Sequence, residues 1–146
     1  MDAKARSPRG SLGPFHTDAR IYATVPHSGL RITWMGHATS IVEIDGVRIL
    51  IDPLWDERVA PTTWTGPKRF FPAPLELRDL PPLDAILISH VHYDHLGAAT
   101  IRTLVHHAAA EKAQWITSLG VGALFEQLGV PPAGCVELNW METTGK

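Results

Sequence analysis

A single cysteine, Cys135, stands among the 146 residues, so no disulfide can close within the chain. That fits a reducing compartment. Long apolar runs are missing too: no stretch approaches the roughly 20 residues that a membrane-spanning helix requires. The N-terminal MDAKARSPRGSLGPFHTDAR is basic but has no apolar segment of the kind a secretory signal carries. A soluble, cytoplasmic protein is the expectation. Basic clustering is equally scarce, with Lys68-Arg69 the only adjacent basic pair and a formal net charge of −2. A nucleic-acid partner, which would call for a basic stripe, is therefore not expected. There is no internal repeat.

What is present is an ordinary globular composition, 45% apolar and 19% charged. Residues 1–22 are rich in Gly, Pro, Ser and charge without periodicity and are expected to form a flexible N-terminal arm. Residues 23–146 then read as the folded part. LRITW (30–34), SIVEI (40–44) and VRILID (47–52) are short β signals, the last two separated by Asp45-Gly46. Asp-Gly between β-branched runs marks a tight hairpin, because both turn positions need positive φ.

Residues 53–82 are rich in proline, with Trp55, Trp64, Phe70 and Phe71 interleaved. Proline fixes φ and removes a backbone donor, so a long stiff loop is expected. Its aromatics either pack the loop onto the domain or line an acyl-chain groove. Beyond it, 83–89 reads as a buried strand, 96–112 as a helix, 114–118 as a strand, 120–128 as a helix ending at Gly129, and 135–140 as a strand. The order βββ–loop–β–α–β–α–β means α/β layers, an antiparallel meander followed by βαβαβ.

The chemistry is concentrated in ISHVHYDHLG, residues 88–97. His90 and His92 are two apart, so in an extended segment leaving a strand they point the same way while Val91 points back into the core. Asp94 and His95 fall in the turn before the next helix, where a carboxylate gains from the helix N-terminus. Gly97 lets the backbone bend close to the site. Neutral imidazoles plus a carboxylate are the ligand set of zinc and related divalent metals, and four ligands so close together suit two adjacent ions. His16, His27, His106 and His107 carry no such pattern. Lys68 and Arg69 are candidates to meet a substrate phosphate, solvated surface charge being the alternative.

H-x-H-x-D-H after an apolar strand resembles the metal-binding signature of the metallo-β-lactamase-fold hydrolases. ITWMGHATSIVEIDGVRILIDPLW, GPKRF and LPPLDAILISHVHYDHLG are similar, in order and spacing, to the branch of N-acylphosphatidylethanolamine-hydrolysing phospholipases D. The resemblance implies a zinc-dependent phosphodiesterase that attacks a phospholipid-like ester with a metal-bound hydroxide. It implies that His90 and His92 hold one zinc, and Asp94 and His95 a second. Asp52 would stand behind them as the carboxylate that orients the loop, and His37 would face the cleft.

The family fold is a four-layer αββα sandwich of two similar halves, and these residues correspond to its N-terminal half. A third histidine, a bridging aspartate and a final histidine are supplied in the family by the other half. The chain alone is therefore expected to hold one zinc or none tightly and to be inactive. The alternative is a non-catalytic fragment or partner subunit that binds metal weakly. An uncovered apolar sheet face and self-association through it are expected as well.

Overall fold

The computed structural model describes residue 10 and residues 12–60 and 64–145. β1 (Leu30–Gly36), β2 (Thr39–Ile44) and β3 (Val47–Ile51) form an antiparallel meander. Asp45 and Gly46 take φ of 49° and 83°, the left-handed pair that a two-residue hairpin turn requires. β4 (Ala85–Ile88), β5 (Gln114–Ser118) and β6 (Cys135–Leu138) then add in parallel, giving the order β1-β2-β3-β4-β5-β6. α1 (Ala98–Leu104) crosses from β4 to β5, and α2 (Gly122–Leu128) crosses from β5 to β6. The expected α/β order is the observed one. Among the described residues no helix is long and apolar enough to cross a membrane.

Strand alternation sends Met35, Ile41, Leu50, Ile86, Ile88 and Trp115 to one face, where they meet Ile101, Leu104, Phe125 and Leu128 of the helices. Trp115 and Phe125 pack edge to face, with centroids 5.7 Å apart. Among the described residues the other face is largely uncovered, Phe71 meeting only its Trp34 end. Leu30, Ile32, Trp34, Ile44 and Val47 are all exposed there, Ile32 by 62% and Trp34 by 55%. The registers that pair Leu30 with Ile44 and Ile32 with Val42 make this one continuous apolar strip.

The helix expected over 96–112 is shorter. α1 has seven residues and ends at Leu104. His107 then turns extended, and its ring accepts the N–H of Ala109 to start a separate 3-10 turn, Ala108–Ala110. A side chain that caps a new turn competes with the backbone bond that would have continued the helix.

The arm expected over 1–22 lies partly outside the described residues. Of the described part, Thr17 donates its N–H to Pro74 O at 2.7 Å, and Tyr22 is buried. The guanidinium groups of Arg31 and Arg48 each lie 5.5 Å from the centroid of its ring. Both arginines pair with the buried Glu43 carboxylate, and they also donate to Thr24 O and Tyr22 O. This latch fastens residues 22–24 to the sheet.

Burial alone pushes Glu43 up, but the hydrogen bonds from Arg31 and Arg48 outweigh it and hold the carboxyl below its ordinary value. The stability it contributes is thus fully present above the ordinary glutamate range and is lost as pH falls through the depressed value. Glu43→Gln, which replaces charge-assisted hydrogen bonds to two partly exposed guanidinium groups with neutral ones, is expected to lower stability by about 2 kcal/mol. Urea unfolding at neutral and acid pH checks this, and the difference between variant and native chain should shrink as pH falls.

Candidate functional site

β3 and β4 run parallel, so their C-terminal ends lie side by side, and both lead into the site. Asp52 follows β3 directly and donates its N–H to Leu87 O. Its φ of 47° is left-handed, a conformation that Asp and Asn tolerate better than other non-glycine residues. The carboxylate is buried and turned to the neighbouring loop. Oδ1 accepts the Ser89 N–H at 2.7 Å, and Oδ2 accepts the Ser89 hydroxyl at 2.8 Å. His95 Nδ1 meets the same Oδ2, also at 2.8 Å. Behind it the buried Thr39 donates its hydroxyl to Asp52 O and accepts the Leu54 N–H. Asp52 thus ties the end of β3 to Ser89 and His95 of the neighbouring loop.

The four expected ligands come together as two pairs. His90 Nε2 and His92 Nδ1 are 3.0 Å apart, and His95 Nε2 lies 3.6 Å from Asp94 Oδ2. The His90 ring joins the pairs, its centroid 4.5 Å from His92 and 4.0 Å from His95. Two nitrogens on a tetrahedral zinc with bonds of ~2.05 Å would stand about 3.3 Å apart. Each pair is thus spaced to give two corners of such an ion. Among the described residues no group of three or more His, Cys, Asp or Glu is gathered closely enough to hold a metal by itself. Imidazole nitrogens and a carboxylate are donors that divalent metals take, and each pair offers two contacts.

The turn is held by its own backbone and by contacts from outside it. His95 and Leu96 both donate their N–H to His92 O. Gly97 is needed for close approach, since a Cβ there would lie 2.8 Å from Asp56 Oδ1 and 2.9 Å from Leu54 Cδ1. The carboxylate at the start of α1 is Asp56, which accepts the Thr100 N–H and hydroxyl. Asp94, expected in that role, is instead exposed beside His95. Val91, expected in the core, is 46% exposed. It lines a cavity of about 500 Å³ with Tyr93, Arg102 and Leu124, because the loop has already left the sheet at His90 and alternation no longer applies.

His37 occupies the turn between β1 and β2 with φ 48°, and its carbonyl accepts from Trp34 Nε1. Partial desolvation and then the Arg69 charge lower its pKa, while the Asp94 carboxylate acts the other way. It therefore stands within electrostatic reach of both. Of the basic pair, exposed Lys68 is bonded to Glu57 Oε1. Arg69 is turned inward and donates to Met35 O, Leu54 O and Phe71 O. A Cβ on Gly36 would lie 2.5 Å from Arg69 Nη2, so the glycine makes room for the guanidinium. Arg69 thus braces the two backbone segments that carry His37 and Asp52 rather than presenting a free fork to a phosphate.

The aromatics divide. Trp55 bonds Leu75 O and packs on the core, and Phe71 makes edge contacts with Phe15 and Trp34. Phe70 is exposed and borders, with Trp55, Phe71 and Leu77, a groove of about 590 Å³.

Ser89 and Thr39 were not legible as site residues. The parallel pairing of Ile51 with Leu87 is what brings Asp52 beside the loop that begins at Ser89, and that register is the signal that would have found Ser89.

Similarity to known proteins follows the same residues. The chain is 44% identical over 116 residues to an uncharacterized protein of Mycobacterium tuberculosis, covering 80% of this chain and 30% of that one. It is 39% identical over 120 residues to N-acyl-phosphatidylethanolamine-hydrolyzing phospholipase D 1 of Caenorhabditis elegans, covering 80% and 33%. The chain thus spans about a third of the length of these relatives. Among solved structures, CmlA, a diiron beta-hydroxylase from Streptomyces venezuelae, shares the fold with a TM-score of 0.56 at 23% identity, over 80% of this chain and 22% of that one. The sequence profile of the beta-lactamase superfamily domain matches residues 47–145, from β3 through the histidine loop to the end of the sheet, and the chain belongs to that family.

Proposed function

We propose that these residues form one wall of a two-zinc hydrolytic centre that cleaves a phosphodiester of a phospholipid-like substrate, in the manner of a phospholipase D. The observation that supports this most is the pairing of donors at the end of the sheet, His90 with His92 and Asp94 with His95, over a buried carboxylate. Likeness to the Caenorhabditis elegans phospholipase D supports the substrate class. Bound there, zinc would supply the acidity that makes water a nucleophile near neutral pH. The chain's own part is to hold the ligands. Asp52 fixes His95, and Arg69 braces the flanking backbone. The groove beside Phe70 and Phe71 offers an apolar wall to an acyl chain.

A catalytic zinc normally takes three protein ligands, and two pairs give two contacts each. We therefore propose that the 146 residues alone do not turn over substrate and that the other contacts come from a sequence or chain outside them. Zinc per chain after dialysis, measured by atomic emission, should be one or fewer, with no hydrolysis of a phosphodiester. Two tightly held ions with turnover would overturn the incomplete centre. One ion or none, with turnover abolished equally by a chelator and by His92→Ala, would overturn only the claim of inactivity.

The donor shortfall and the bare strip of Leu30, Ile32, Trp34, Ile44 and Val47 favour a second reading, a non-catalytic partner subunit. Either way the strip should promote self-association. Sedimentation velocity should show a concentration-dependent shift above the monomer, and a monomer at every concentration would count against it.

A further inference from the structure

We infer that Asp52 and Ser89 together fix the ring tautomers of His90 and His95, with the proton of each on Nδ1 and each Nε2 lone pair turned to the cluster. The inference follows from counting protons. A carboxylate only accepts, and a hydroxyl has one proton to give. Ser89 Oγ lies 2.8 Å from Asp52 Oδ2 and 3.0 Å from His90 Nδ1. The buried carboxylate is the stronger acceptor, so the hydroxyl proton goes to Asp52. Only a lone pair is then left for His90, and the 3.0 Å contact is a hydrogen bond only if His90 Nδ1 carries the proton.

His95 Nδ1, 2.8 Å from the same Oδ2 and 3.2 Å from Ser89 Oγ, faces an acceptor and a hydroxyl whose proton is already given, so it must likewise be a donor. One carboxylate so governs a member of each donor pair, His95 directly and His90 through a single hydroxyl. The chain of protons continues one step further. His90 Nε2 has no proton, so its 3.0 Å contact requires that His92 donate from Nδ1. His90 and His95 thus present lone pairs in advance, whereas His92 must shift its proton to Nε2 before Nδ1 can serve as a ligand. Ser89 is a positioning residue in this scheme, and its relevance to metal rests on the proposed two-zinc centre.

The test needs no metal. Long-range proton–nitrogen NMR correlations of the ¹⁵N-labelled, chelator-treated chain would be recorded at about pH 8.5, some two units above the ordinary imidazole range. His90 and His95 should both show the Nδ1–H pattern. Ser89→Ala should release His90 to a mixture of tautomers while His95 stays as it was, and Ser89→Thr, which keeps the hydroxyl, should restore His90. A native chain with the His90 proton on Nε2 overturns the inference, as does Ser89→Ala with His90 unchanged. The native spectrum decides the first of these even if a variant fails to fold. Absent zinc binding with the tautomers as inferred would sink the metal reading alone.

Discussion

His92→Ala is expected to remove zinc binding from this chain while leaving its unfolding transition where it was. The His92 side chain is exposed, and among the described residues its one ring contact of hydrogen-bonding distance is with His90. Nothing in the core rests on it, so the change in stability should stay within about 0.5 kcal/mol. The His90 pair, by contrast, loses one of its two donors. Losing an outer hydrogen-bond partner of a ligand costs roughly 10–100-fold in metal affinity, and losing the ligand itself should cost more. Competition against a chromophoric chelator reads the affinity, and urea unfolding reads the stability. Unchanged zinc affinity would mean that His92 is not a ligand.

Asp52→Asn should show the opposite balance, with stability and metal affinity falling together. Asparagine tolerates the left-handed φ of 47°, so this variant changes the acceptor without adding backbone strain. The native carboxylate takes three donors: the Ser89 N–H, the Ser89 hydroxyl and His95 Nδ1. An amide has one oxygen and a donor group in place of the other, so at least one donor is left facing another donor. An unsatisfied buried group costs about 1–3 kcal/mol, and zinc affinity should fall roughly 10–100-fold as His95 loses its orientation. The same two measurements check it. Native stability and affinity in Asp52→Asn would show that Asp52 only starts a turn before Pro53.

The contrast between the two variants reflects which parts of the site the sequence announces. Spacing places His90, His92, Asp94 and His95 on one short loop, and Asp45-Gly46 marks its hairpin, because both are local patterns. The bracing by Arg69 is not legible in the sequence, since the carbonyls it bonds, Met35 O and Leu54 O, lie 34 and 15 residues away. Ser89 carries no pattern of its own, and only the parallel register sets it against Asp52. The early end of α1 turned on the His107 cap, a side-chain bond that helical periodicity cannot report. The carboxylate at that helix came from Asp56, 44 residues before Thr100. Backbone and spacing patterns along the chain were readable; side-chain bonds to the backbone were not, whether they reach across the chain, as at Arg69 and Asp56, or only two residues on, as at His107.

The pairing of β3 with β4 also bears on how the site comes into being. The β2–β3 hairpin closes through two residues, while β4 waits until residues 52–84 have looped back, a stretch whose described part holds only the single 3-10 turn Leu77–Asp79 to shorten the search. Closing about 33 free residues costs roughly 3 kcal/mol in chain entropy beyond a constant, so this step should limit the folding rate. Asp52 and Ser89 meet only when it is complete. In pulsed hydrogen exchange during refolding, the β2 and β3 amides should gain protection before the Ser89 amide does; simultaneous protection would refute this order. The ligand-orienting contacts are then among the last to form, and nascent chain exposes unanchored histidines until the parallel strands join.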